Sequence, residues 1–383
     1  MLALGVYRGR VMLVDSETWD VRWNINAHSD GQSGARVALA PDGRRVASLG
    51  FNDDDWRLWD AATGAAHTAG ATHNGMGACI CVVGDGGDRE VQEGCPVVAH
   101  SPAEGLRAVA LSPCGRCLAS GGFDGLVILW DAHSGDARHR MLGKQKPECP
   151  RVRSLSFSAD GARLASASQD AYIQIWEVST GVLLRSIQPT LDESVLHIHF
   201  SPTDRKMLAA ADDEGAISVW DVESGEKIRS LVGSAFSVFS PDGRTIATAV
   251  APNPAHVTPL VPDPGNRNRL GDLLLIDVET GATRVRIGGH TQSLTSAAFS
   301  VDGSKLATGS RDGTCKVWDS STGALLRNID LRAAVTSVAW GRDWVRDRER
   351  GVAFGMGHHP RLGVESQVLE LEVGVVRMIL DRV

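Results

Sequence analysis

The chain has 383 residues, 43% of them hydrophobic and 22% charged, with a formal charge of −7. That is a globular composition, long enough for two average domains or one large β architecture. No apolar run approaches the roughly 18 residues a membrane helix needs, and the apolar opening runs straight into Arg8 and Arg10, so neither a membrane span nor a secretory signal is expected. The acidic balance argues against a general polyanion binder, because nonspecific nucleic-acid affinity rests on clustered Lys and Arg. Nucleic acid and membrane are therefore not expected as partners. Seven cysteines, an odd number, read as reduced thiols of an intracellular protein, cytoplasmic before nuclear. The 42 Gly and 15 Pro spread along the chain mark many turns, and Trp (10) outnumbers Phe (8) and Tyr (2), which asks for a repeated structural use of Trp.

In chain order, Leu2 to Val6, Val11 to Asp15 and Val21 to Asn26 read as three strands within residues 1–27. From 28 to 374 one phrase returns: an apolar strand ending in Phe or Leu, a Ser-Pro-Asp-Gly turn or a relative, Leu-Ala-Ser, Val-Trp-Asp, then Thr-Gly. Its closing glycines are Gly64, Gly135, Gly181, Gly225, Gly281, Gly323 and, in a degraded copy, Gly374, a basal period of 42 to 46 residues stretched by insertions. First strands begin near Arg36, Leu106, Val152, Val195, Ser234, Leu294 and Val335. Inside each copy the apolar pattern is short and alternating, as in Ser154 to Phe157, Arg163 to Ser166 and Tyr172 to Trp176, which is strand, turn, strand, turn. A four-stranded antiparallel unit cannot bury both faces alone, and radial stacking of such sheets gives a propeller. The missing helical period excludes helical repeat arrays.

These residues resemble the WD-repeat β-propeller family, most closely in the unit His290, Thr308, Asp312-Gly313 and Lys316-Val317-Trp318-Asp319. The resemblance implies a hydrogen-bonded tetrad inside a blade, made by a His before the first strand, a Ser or Thr in the second, an Asp in the following turn and a Trp in the third. The sets are His290, Thr308, Asp312 and Trp318; His100, Ser120, Asp124 and Trp130; and, with one extra turn residue, His28, Ser48, Asp53 and Trp59. The chemistry is sound on its own terms, since a buried Asp is costly unless paired and an imidazole can satisfy both it and a hydroxyl. Other copies are weaker: Ser166, Asp170 and Trp176 lack the His, the next keeps only Trp220 beside Ala210, and Ile276 replaces Trp in the one after.

The expected fold is thus an all-β propeller of four-stranded antiparallel blades in a single domain over 1–383. It has seven repeats from 28 to 374, a partial N-terminal blade in 1–27 and a terminal strand in 375–383. The N-terminal strands lack a first strand, while the last repeat seems to own four, with Val375 to Leu380 as its fourth. Eight blades with one defective blade is the favoured count; seven blades with peripheral N-terminal strands, or a chain opening in mid-repeat because its natural start lies elsewhere, are the alternatives. Insertions fall at 75–99, at 250–272 with five prolines, and at Gly357 to Glu365, all on the rim where second-to-third and fourth-to-first loops emerge. The resemblance calls that rim the top and implies partner contacts just before the turn Asp and beside first strands. Carried over, these are Phe123, Gln169, Asp213 and Arg311, with Arg107 and Arg153. Phe123 reads as an interface anchor, or as a side chain half-covered by neighbouring loops.

Other candidates carry less. Cys79, Cys81, Cys95, Cys114, Cys117 and Cys149 suggest paired thiolates, but Cys114 and Cys117 stand in a hairpin of the opposite rim, so small buried or turn thiols are expected. Cys315 is mid-strand. His197 and His199 share a strand face where sister repeats hold Ser154 and Ser156, and packing at blade interfaces is expected. No metal and no cofactor are expected. Arg342 to Arg350 alternates charges like a solvated loop, and Trp19-Asp20-Val21-Arg22 spells a ligase-adaptor docking box out of register. The tetrads resemble a catalytic Ser-His-Asp set, yet an enzyme needs one site while a fold needs its brace in many blades. The expectation is a noncatalytic scaffold, a monomeric ring within a larger complex, binding a protein or peptide through top-face loops. A substrate receptor for ubiquitin ligation, or an enzyme using the axial channel, are the rival readings.

Overall fold

A computed structural model describes residues 1–28, 34–40, 43–50, 56–70, 78–82, 89–93, 106–143, 151–188, 194–212, 215–250 and 271–341. Among them the regular structure is entirely β-strand, in seven four-stranded antiparallel sheets and one separate hairpin. The chain opens with β1 (Leu2–Val6), β2 (Arg10–Val14) and β3 (Val21–Asn26). The next sheet is β4 (Ala35–Leu39), β5 (Arg45–Gly50), β6 (Trp56–Asp60) and β7 (Ala66–Gly70). The insertion at 75–99 contains the separate hairpin, β8 (Ala78–Val82) paired with β9 (Arg89–Glu93). Four sheets follow in regular succession: β10 (Leu106–Leu111) to β13 (Ala137–Met141), β14 (Val152–Phe157) to β17 (Leu183–Ile187), β18 (Val195–Phe200) to β21 (Lys227–Val232), and β22 (Ser234–Phe239) to β25 (Thr283–Ile287). The last complete one runs from β26 (Leu294–Phe299) through β27 (Lys305–Ser310) and β28 (Thr314–Asp319) to β29 (Leu325–Asp330), after which comes β30 (Val335–Trp340).

The first strand of each sheet packs against the first strand of the next, β4 on β10, then β14, β18, β22, β26 and β30, and β30 returns to β4. That closed succession is a seven-bladed β-propeller with first strands innermost. The favoured count of eight is corrected by the partner of β1: its free edge pairs with β30, Leu2 opposite Trp340 and Leu4 opposite Val338. The first strand of what reads as a seventh repeat therefore completes the N-terminal blade. The Met1 ammonium donates to the Gly341 carbonyl at 2.9 Å beside this seam. Pairing the edge satisfies backbone groups that would otherwise invite intermolecular strand addition. The compact unit holding the ring is Met1–Arg342; the second, Asp343–Val383, with the expected terminal strand 375–383, lies outside the described residues.

Burial explains the sequence pattern. Second strands such as β27 are buried along almost their whole length, whereas outermost strands such as β29 are largely exposed, so the repeat is strongest in the middle of each blade and faintest at its edge. Apolar side chains of adjacent sheets interlock, as where Trp176 packs with Leu155 and Leu129. The turns follow from side-chain chemistry: Asp319 Oδ1 accepts the amides of Ser321 and Thr322 at 3.0 and 2.8 Å. Gly323 then takes φ of 74°, a region costly for a residue with Cβ, and a Cβ there would meet Val285 at 2.9 Å.

Candidate functional site

The buried polar groups fall into two kinds, those repeated from blade to blade and those gathered in one sector. In the blade of β26 to β29, His290 Nε2 lies 2.8 Å from Thr308 Oγ1 and Nδ1 lies 2.9 Å from Asp312 Oδ2, and the Trp318 indole donates to Thr308 Oγ1 at 2.8 Å. Burial opposes charge on Asp312, but hydrogen bonds from Thr314, Thr291 and His290 outweigh it and hold the carboxyl well below its ordinary range. Burial pulls His290 below the usual imidazole value against the pull of Asp312. The same indole-to-hydroxyl bond recurs at Trp59–Ser48 (2.8 Å), Trp130–Ser120 (2.7 Å) and Trp176–Ser166 (2.9 Å), and His28 Nε2 lies 2.9 Å from Ser48 Oγ. His100 and Asp53 lie outside the described residues; Asp124 accepts the Leu126 amide at 3.0 Å. In the blade of β18 to β21, Ala210 replaces the hydroxyl and the buried Trp220 indole N–H has no hydrogen-bond partner.

A second repeated device stitches inner strands to one another. Ser154 and Ser156 accept the amides of Ile198 and Phe200 at 3.1 and 3.0 Å, one blade on. His197 and His199 do the same one blade further, accepting the amides of Ser237 and Phe239 through Nδ1 at 3.3 and 3.4 Å. To accept, each imidazole must be neutral at that nitrogen. Burial pushes His197 down to about 3, with His199 and Arg36 adding to the shift, and pushes His199 down to about 4. Both sit at the blade interface.

The sector that does not repeat is formed by β4, β10 and β14. Near its start, β10 slips register between Leu106 and Ala108, and β14 between Val152 and Ser154. Such a bulge leaves its extra residue out of the ladder and re-aims its side chain; here those residues are Arg107 and Arg153. The same slip elsewhere holds Leu196 and Thr295. Thr295 donates to the Val335 carbonyl at 2.7 Å, so a guanidinium is not what the bulge requires. The Arg107 guanidinium stacks over the Phe123 ring at 4.7 Å and that of Arg151 at 4.6 Å, within cation–π range. Arg153 donates to Gln169 Oε1 at 2.7 Å, and the Gln169 amide bonds the Arg151 carbonyl at 2.9 Å. Arg36, the second residue of β4, completes the group: burial and then the charges of Arg107 and Arg153 push it down to about 10. Arg107 is lowered by burial and then by Arg153 and Arg151.

Four of the six expected contact residues, Arg107, Phe123, Arg153 and Gln169, therefore meet beside the starts of β10 and β14. Phe123 is half-buried beneath guanidinium groups. Arg311 is exposed in the loop after β27, in another sector, its amide bonded to the Ser293 carbonyl at 3.1 Å, and Asp213 lies outside the described residues. Arg36 and Arg151 were missed by sequence reasoning, although Arg36 opens a first strand as Arg107 and Arg153 do and Arg151 alternates with Arg153.

Two family models match the chain: the WD domain, G-beta repeat, over residues 282–319, and the Vps8 beta-propeller over residues 104–231. The first falls on the blade with the complete tetrad. The chain is a WD-repeat β-propeller. It is 26% identical over 233 residues to WD repeat-containing protein 18 of Homo sapiens, covering 57% of this chain and 42% of that protein. It is 30% identical over 143 residues to small ribosomal subunit protein RACK1y of Oryza sativa subsp. japonica, 33% of this chain and 40% of the relative. With the U3 small nucleolar RNA-associated protein 21 homolog of Schizosaccharomyces pombe the identity is 27% over 244 residues, 64% of this chain and 20% of the other. The chain thus spans less than half the length of these curated relatives.

Within this WD-repeat propeller the remaining candidates take ordinary places. Among the described residues no three His, Cys, Asp or Glu side chains are grouped as metal ligands. Cys117 is buried, its thiol pushed up by that burial, and Cys315 is pushed up to about 12. Cys79, Cys81, Cys95, Cys149, Arg342 to Arg350 and His358-His359 give no side-chain observation among the described residues. Arg22, the last residue of the docking-box sequence, pairs with Asp15 at 2.8 Å and is 17% exposed, so its guanidinium is engaged in holding its own turn.

Proposed function

We propose that this propeller is a noncatalytic interaction platform that binds a protein or peptide through its top face and supports assembly of a larger complex. The observation that carries the reading is the convergence of Arg107, Phe123, Gln169 and Arg153, with Arg36 and Arg151, beside the starts of the inner strands β4, β10 and β14. Rigid inner strands present these side chains, and fixed scaffolds that hold loop and rim residues in place are where binding concentrates. Two relatives support the wider role by name, one being a small ribosomal subunit protein and the other associated with the U3 small nucleolar RNA. The tetrads, by contrast, recur in several blades, which fits a brace better than a catalytic centre.

The test is affinity capture from native lysate with the intact chain, with Phe123→Ala plus Arg107→Ala, with Arg311→Ala, and with Leu326→Ser on the outer rim, where Leu326 is 48% exposed. The reading expects partners lost in the first variant and retained in the rim variant. Partners retained in Phe123→Ala plus Arg107→Ala, or turnover of a substrate abolished by one top-face substitution, would overturn it.

A further inference from the structure

We propose that the cavity between the blades of β22 to β25 and β26 to β29 binds a small zwitterion, an α-amino acid with an apolar side chain, whose carboxylate is held by Arg284 and whose ammonium is held by Asp242. The site lies among first-to-second and third-to-fourth strand turns, on the rim opposite the face on which the platform reading rests, and stands independently of that reading.

Three observations carry it. First, the two blades leave a cavity of about 230 Å³ between them, lined by Arg284 and Asp242 and, on its apolar side, by Leu275, Val285 and Phe299. That is below the range of about 300–1,000 Å³ for pockets that take drug-sized ligands. Second, Arg284 departs from its sisters. It is the extra residue of a bulge on an outermost strand, as Arg22 and Arg138 are on theirs. Those two pair with the Asp that leads their own turn, Asp15 at 2.8 Å and Asp131 at 2.5 Å. The corresponding Asp277 uses Oδ1 for the Thr280 amide and hydroxyl, at 2.8 Å each. Arg284 forms no ion pair with it and donates instead through Nη1 to Thr245 Oγ1, at 3.1 Å, on the cavity wall. Its Nε and Nη2 have no hydrogen-bond partner among the described residues. Third, an opposite charge lines the same cavity without touching it. Asp242 Oδ1 accepts the Ser240 hydroxyl at 2.5 Å and the Arg244 amide at 3.0 Å, while Oδ2 accepts nothing among the described residues. The Ser240 bond, working against burial, holds this carboxyl below its ordinary range, and the charges of Arg244 and Arg284 add to the shift. It is therefore ionised at neutral pH, yet it forms no ion pair with Arg284.

Open donors and an open acceptor in one small cavity select the ligand. The free edge of a guanidinium matches a carboxylate in bidentate fashion, and a carboxylate oxygen accepts from an ammonium. One molecule bearing both charges engages both groups. A simple anion would sit on Arg284 with Asp242 close by as a like charge, and a simple cation would meet the converse penalty. The remaining carboxylate of the cavity, Asp302, already has both oxygens engaged by Ser300 and Ser304, so it does not compete for the ammonium. Leu275, Val285 and Phe299 leave the side chain of the ligand an apolar wall.

The experiment is a ligand-observed NMR titration on the full chain with L-valine. Beside it stand L-valinamide, which lacks the carboxylate, 3-methylbutanoate, which lacks the ammonium, and L-alanine, which lacks most of the side chain. The proposal expects saturable valine binding, weaker binding of alanine, and at least a tenfold loss for each of the two analogues that lack a charge, because each leaves a charged partner unmatched. Arg284→Gln and Asp242→Asn should each lose at least tenfold for valine. Should either variant fold poorly, the analogues still decide on the wild-type chain. No valine binding, which would leave the cavity to water, would overturn the proposal. So would valinamide, 3-methylbutanoate or alanine binding as tightly as valine, or valine binding unaltered by Arg284→Gln. Partner capture by the top-face variants reads the platform separately, so either idea can fail without the other.

Discussion

The blade of β26 to β29 and the sector of β4, β10 and β14 both hold polar groups away from bulk water, and they solve the problem in opposite ways. In the first, His290, Thr308, Asp312 and Trp318 satisfy one another within a closed network, and partial copies stand in sister blades. In the second, guanidinium groups of one sign are brought together, and the arrangement occurs in one part of the ring. A repeated, self-satisfied cluster stabilises the fold wherever it appears. A cluster found in one sector is not something the repeat requires, and on the reading proposed above it faces a partner. That contrast separates the structural histidines and aspartates from the residues on which function is placed.

The largest expected effect lies in the brace. Thr308→Val strips the acceptor from the buried Trp318 indole and a partner from His290, and should destabilise the chain by about 3 kcal/mol, since each stranded buried group costs about 1–3 kcal/mol. Urea unfolding measures it, and a loss under about 1 kcal/mol would break the comparison. The arginine sector should cost less: Arg107→Ala plus Arg153→Ala removes the stacking on Phe123 and the bond to Gln169, a loss of about 1 kcal/mol each at most.

The histidine seam supplies a test that grows as pH falls and is absent at neutral pH. Folded His197 and His199 titrate near about 3 and about 4, while unfolded imidazoles titrate near about 6.5. Between those values the unfolded chain takes up protons that the folded chain refuses, so stability is full above about pH 6.5 and falls as pH falls, by up to about 1.4 kcal/mol per pH unit for each imidazole. His197→Ser plus His199→Ser, which installs the acceptors used by Ser154 and Ser156, should flatten this acid limb. An unchanged slope of unfolding free energy against pH would remove the seam from the account. The smallest effect is a gain: Ala210→Ser offers the Trp220 indole the acceptor it lacks and should stabilise by about 1 kcal/mol, read as a raised urea midpoint.

Much of this was legible in the residues. The period, the turns and the tetrads could be read because each blade must reuse the same buried hydroxyl and indole and the same Asp-led turn, so the constraint is printed several times. The closure was not legible, because β30 opens what reads as a further repeat, and only its pairing with β1 shows which blade it serves. Arg107 and Arg153 stood out beside first strands, yet their convergence with Arg36 and Arg151 depends on ring order and on the bulges that re-aim them, which no local pattern encodes. What covers Phe123 was not legible for the same reason: the half-covered reading stood beside the anchor reading, but the guanidinium groups over the ring come from β10 and from residue 151, next to β14.

The most direct test of the division between brace and binding face sets Thr308→Val beside Arg107→Ala plus Arg153→Ala, with melting temperature and partner capture measured on both. The account predicts a crossed result: the first variant melts lowest and keeps its partners below its melting temperature, and the second melts closer to the intact chain and loses them. Partner loss that tracks melting temperature in both variants would contradict it.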